Sequence, residues 1–140
     1  MSQERSYFRL SLLSYLKDSH PHLATDAAFI AARGDAAAEA NSTAIKDGKS
    51  HDQAGEIANE ALYAGMLFSP YRTIVRIHWN EFAKEVTPML AEGVAMELLP
   101  KLNEVFDKYK LSDGFDTTSE YDQLYTELTG TIQILLEDGI

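Results

Sequence analysis

Apolar residues recur at three- and four-residue intervals along nearly the whole chain, and no stretch alternates apolar and polar positions as a half-buried strand would. Helix is the predicted element throughout. The first spans about residues 3–18. Phe8, Leu12, Tyr15 and Leu16 form one stripe, while Tyr7, Leu10 and Leu13 spread round the rest, the pattern of a helix contacted on several sides. Pro21 stops it, because proline disfavours helical geometry at His20. The second, alanine-rich helix takes Thr25 or Asp26 as N-cap and ends near Asp47, with Gly48 as its stop. Ser50 and Gln53 form a capping box for the third. Its predicted inner stripe is Ala54, Ile57, Ala58, Ala61, Leu62, Gly65 and Phe68, small enough to let the second helix approach closely.

Ser69-Pro70 restarts the chain, with serine as N-cap and proline in the first turn. The fourth helix carries Tyr71, Ile74, Val75, His78 and Phe82 on one face and Arg72, Arg76, Asn80 and Lys84 on the other. Thr87-Pro88 repeats the restart. The fifth helix covers residues 88–109, and Pro100 within it predicts a kink or a split. A loop over 111–119 turns at Asp113-Gly114. The sixth helix, residues 120–138, buries Tyr121, Leu124, Tyr125, Leu128, Ile132, Leu135 and Leu136. Its outer face carries Asp122, Gln123, Thr126, Glu127, Gln133 and Glu137, with Ile134 projecting among them and Gly130 at its centre. The expected fold class is all-α, a compact single-domain bundle of about six helices over residues 1–140.

Composition narrows the chemistry. The chain has no cysteine, which removes disulfides, thiolate metal sites and a cysteine nucleophile and fits a cytoplasmic setting. Its N-terminus lacks the basic start and apolar block of a signal peptide. No apolar run approaches the roughly 20 residues of a membrane span, so no membrane association is expected. The net charge of −10 argues against nucleic acid as a partner. The charge is uneven. Residues 1–84 hold nine basic and ten acidic side chains, and residues 85–140 hold three and twelve. Such asymmetry suggests an interaction surface on the acidic side, or merely a well-solvated one; the candidate residues for the surface are Asp122, Glu127, Ile134 and Glu137.

Catalytic patterns are sparse. His78, flanked by Trp79 and followed by Glu81, is the candidate for a pocket. The plainer reading is a core histidine whose nitrogens meet a carbonyl, a tyrosine or a carboxylate. Asp18, His20 and His22 bracket a proline in a turn, which a helix stop explains better than a metal. Glu56 with Glu60, and Glu81 with Glu85, lie four apart and read as solvated carboxylates rather than an acid–base pair. Ser14 and Lys17 match a serine–lysine spacing without its companion motifs. No phosphate loop, dinucleotide fingerprint or nucleophile elbow occurs, and no catalytic residue, metal or cofactor is assigned.

Three segments carry a family resemblance. Residues 6–16 (SYFRLSLLSYL) with Ser19-His20-Pro21, residues 79–82 (WNEF) and residues 124–133 (LYTELTGTIQ) resemble the opening, middle and closing parts of an uncharacterised bacterial family of small all-helical proteins, a domain of unknown function. The resemblance implies an all-helical single domain and an association with conjugative transposons. It implies no catalytic residue. Taken together, these features predict a non-enzymatic accessory factor of a mobile element that binds another protein through its acidic C-terminal surface. The alternative is a small enzyme or ligand-binding protein with a pocket near His78 and Trp79. The partner's identity and the oligomeric state are left open.

Overall fold

The computed structural model describes residues 2–139, with side chains from Arg5 onward. Among these residues there are seven α-helices, four short 3-10 turns and no strand, in agreement with the all-α expectation. The backbone contacts cluster into two units, residues 1–66 and 67–140.

Unit 1 contains α1 (Ser2–Ser19), a 3-10 turn (Pro21–Leu23), α2 (Ala27–Lys46) and α3 (His51–Tyr63). Local signals set its boundaries. The Asp26 carboxylate accepts the Phe29 N–H at 3.0 Å and caps α2. Gly48 takes φ +91° between α2 and α3, a conformation costly for any residue with a Cβ. Both halves of the Ser50–Gln53 capping box are made. The core joins Phe8, Leu12 and Leu16 of α1 to Ala37 and Ala38 of α2, Ala58 and Leu62 of α3, and Met66. Each fully buried leucine contributes roughly 1.5–3 kcal/mol. The α1–α2 crossing is tight. A Cβ on Gly34 would lie 2.5 Å from Arg9 Cγ and 3.1 Å from the Arg9 backbone nitrogen. The Arg9 guanidinium also forks onto Asp35, with Nη2 at 2.8 and 2.9 Å from the two carboxylate oxygens.

Three expectations for this unit are corrected. The first helix is not packed all round: Tyr7 and Leu10 are both 65 % exposed, and α1 buries one stripe only. The third helix stops at Tyr63, so Gly65 and Phe68 do not continue its stripe. Gly65 has φ +80°, and Arg33 Nη1 reaches the terminal carbonyls of Leu62 and Ala64 at 3.3 and 2.7 Å. A cation there satisfies carbonyls that lack intrahelical donors and opposes the negative helix end. Ile57, expected inside, is partly exposed.

Unit 2 contains α4 (Pro70–Glu81), a 3-10 turn (Pro88–Leu90), α5 (Ala91–Leu98), a second turn (Leu99–Leu102), α6 (Asn103–Phe106), a third turn (Phe115–Thr117) and α7 (Ser119–Glu137). Ser69 accepts the Arg72 N–H at 2.9 Å, as the serine–proline restart predicts. Pro100 divides the expected fifth helix into α5 and α6, with the 3-10 turn between them. Ile74 and Ile77 of α4 pack in one cluster with Leu98, Leu102, Leu124, Leu128 and Ile132, and Phe68 joins this core rather than that of α3. The helix α4 ends at Glu81, so Lys84 lies beyond it and does not share a helical face with Arg72, Arg76 and Asn80 as expected.

Candidate functional site

His78 occupies the buried face of α4 with Ile74, Val75 and Ile77, and its side chain has 0 % exposure. Neither Nδ1 nor Nε2 has a hydrogen-bond partner among the described residues. The expectation that its nitrogens meet a carbonyl, a tyrosine or a carboxylate is therefore not met. Burial pushes its pKa below the ordinary value for histidine. Trp79 faces outward, 42 % exposed, with the Arg72 guanidinium 5.3 Å above its ring. Glu81 is exposed and accepts the Tyr125 O–H at 3.0 Å, and Tyr125 also accepts from Asn80 at 3.2 Å. The three residues expected to share a pocket thus have three environments: core, outer face and groove edge.

Polar ties fasten α4 to α7. Arg76 Nη1 donates to the Tyr121 hydroxyl at 2.9 Å, one turn before the Asn80–Tyr125–Glu81 set. Both arginines of α4 are consequently engaged, Arg72 by an aromatic face and Arg76 by a phenol. Beyond these ties the C-terminal ends of α4 and α7 flank a groove of about 420 Å³, lined by Glu81, Phe82, Glu85, Gln133, Leu136 and Glu137. Three carboxylates and an amide ring an apolar floor of Phe82 and Leu136. Helix C-termini add partial negative charge. Such a groove suits a cationic side chain with an apolar stem.

The four residues assigned to an interaction surface also separate. Glu137 lines the groove. Ile134 is 60 % exposed on the same stretch of α7, and Asp122 is exposed near its start. Glu127 is engaged within the unit: it pairs with the Lys108 ammonium and accepts the Tyr109 O–H at 3.0 Å. Those hydrogen bonds hold its carboxyl below the usual carboxylate range, Lys108 having the larger effect. The groove combines pairs about fifty residues apart, Glu81 and Glu85 with Gln133 and Glu137, a juxtaposition no linear spacing reveals. The only sequence signal is that Glu81 and Glu85 lie four residues apart and that Gln133 and Glu137 lie on the outer face predicted for the last helix.

Elsewhere, His20 is buried and donates from Nε2 to the Met66 carbonyl at 2.7 Å, an oxygen that also accepts the Tyr15 O–H at 2.6 Å. The His20–Pro21–His22 turn therefore closes unit 1. No group of three or more His, Asp or Glu side chains among the described residues is arranged to hold a metal ion. No described helix is long and apolar enough to cross a membrane.

The chain belongs to the family of the domain of unknown function DUF1896, whose model matches residues 1–139 and so covers both units. It is similar to the crystal structure of protein PG0816 from Porphyromonas gingivalis, with 42 % identity and a TM-score of 0.94 over 98 % of this chain and 93 % of that one. No curated protein matches it.

Proposed function

We propose that this protein is a non-enzymatic interaction factor, acting in the cytoplasm, whose acidic groove on unit 2 receives a basic segment of another protein. The observation that carries this reading is the groove itself: Glu81, Glu85 and Glu137 around Phe82 and Leu136, with exposed Ile134 alongside. A lysine or arginine side chain could lay its methylenes on the two apolar residues while its charge meets the carboxylates. Unit 2 holds thirteen acidic against six basic side chains, which favours approach of a basic partner over long range. On this reading the partner is another protein of a mobile genetic element, as the resemblance of residues 6–16, 79–82 and 124–133 implies. The alternative, a pocket at His78 and Trp79, has less support because His78 has no surface through which a substrate could reach it.

The test is affinity capture from the native host with the full chain and with a Glu85→Lys/Glu137→Lys variant. The expected result is a basic protein that binds wild type at low salt, binds the variant at least about tenfold more weakly, and loses affinity as salt rises through the range where the Debye length falls below about 10 Å. A complex indifferent to both charge reversal and salt would end this reading.

A further inference from the structure

We propose that His78 is an acid-sensitive element of unit 2, whose protonation loosens the packing of α4 and thereby deforms the Phe82 floor of the acidic groove. The placement is unusual. His78 is completely buried among apolar side chains, and both ring nitrogens lack partners among the described residues. A neutral imidazole there already leaves one donor and one acceptor unmet, so an apolar side chain of similar volume would be cheaper. An imidazolium would add a second unmet donor and a buried charge, which is far more costly.

Among the described residues no carboxylate is hydrogen-bonded to His78, and the charged groups of the packed elements are exposed or engaged elsewhere. On α4 itself, Arg72 and Arg76 contact Trp79 and Tyr121, while Glu81 accepts from Tyr125. The elements packed on α4 are α5, α7 and the Leu99–Leu102 turn. On α5, Glu92 is exposed and accepts the Tyr71 O–H at 3.2 Å, and Glu97 is exposed. In the turn, Lys101 is exposed. On α7, Glu120, Asp122 and Glu137 are exposed, Glu127 is held by Lys108, and the Tyr121 and Tyr125 hydroxyls are engaged by α4 side chains. The displacement of the His78 equilibrium accordingly has burial as its sole cause.

The sign follows from linkage. The folded imidazole takes up a proton only at a pH below the ordinary value of 6.5, whereas the opened chain takes it up there. Stability is fully present above that value and is lost as pH falls from it toward the lower folded one. Over that window each pH unit multiplies the open fraction by up to about tenfold. The consequence reaches the groove through one contact. The His78 ring lies 6.0 Å from that of Phe82, the residue that caps the C-terminus of α4 and floors the groove. Only this consequence for binding rests on the proposed function. The opening itself is separate from it.

Amide hydrogen exchange of α4 in the full chain tests the proposal, at pH 7.5, 6.5 and 5.5 and corrected for intrinsic exchange. In wild type the opening constant should rise less than about twofold between pH 7.5 and 6.5 and by up to about fivefold between 6.5 and 5.5. His78→Leu and His78→Gln, which cannot take up the proton, should both lose that rise. The second variant keeps a polar side chain should the first repack the core. An equal rise in either folded variant overturns the proposal, as does a wild type whose α4 opening is flat across the range. A His78 ring signal that titrates near pH 6.5 while α4 amides stay protected would overturn it too.

Discussion

Glu127 and His78 respond to acid in different windows because their surroundings differ. Lys108 and Tyr109 hold the Glu127 carboxylate below its ordinary value, so its contribution is present above about pH 4.5 and is lost as pH falls through the lower folded value. The pair is largely solvated, which keeps that contribution small. We therefore expect Glu127→Gln to flatten the acid limb of thermal stability below about pH 4.5 and to leave the change between pH 6.5 and 5.5 intact. A pH series of unfolding midpoints checks this, and an altered upper window would contradict it. The sequence showed that Glu127 lay on a polar face of its helix. It could not show that Lys108, nineteen residues earlier, would claim it. For His78 the apolar face was legible, but the lack of partners was not, since it depends on what α5 and α7 fail to supply.

At the scale of elements, glycines distinguish a close crossing from open surface. Gly34 of α2 sits against Arg9 of α1, with backbone as well as side-chain atoms in the way, so Gly34→Val should destabilise unit 1 by about 1–3 kcal/mol. Gly130 of α7 is exposed with nothing within 4 Å of an added Cβ, so Gly130→Ala should stabilise by about 0.5–1 kcal/mol. Chemical denaturation of both variants checks the opposite signs. Arg33→Met should cost about 1.5–3 kcal/mol, since it removes a charged donor from the end of α3. Faster amide exchange in the last turn of α3 would accompany that loss. The contrast also explains which elements were legible. Asp26, Ser50 and Ser69 act within three residues of themselves, and each does what its local sequence predicts. The end of α3 and the exposed flank of α1 depend on partners elsewhere, which local sequence does not specify. Apolar spacing on α1 could not tell a helix contacted on several sides from one that buries a single stripe and leaves Leu10 in water.

At the scale of the molecule the charge has a definite address. Unit 1 holds six basic and nine acidic side chains, and unit 2 six and thirteen. Unit 2 has also committed Lys108 to Glu127, while Arg76 contacts a neutral phenol and Arg72 an aromatic face. Its remaining carboxylates repel one another, and the groove gathers three of them. Raising salt from 10 to 150 mM shortens the Debye length from about 30 to about 8 Å and weakens that repulsion. Salt should therefore increase amide protection in unit 2 more than in unit 1, and Glu85→Lys/Glu137→Lys should reduce the difference. Equal gains in both units would mean that the repulsion is not concentrated in unit 2. The same screening weakens attraction to a basic partner. If the carboxylates of the groove are what the partner reads, salt must stabilise the free protein while it dissociates the complex, and charge reversal must blunt both effects together.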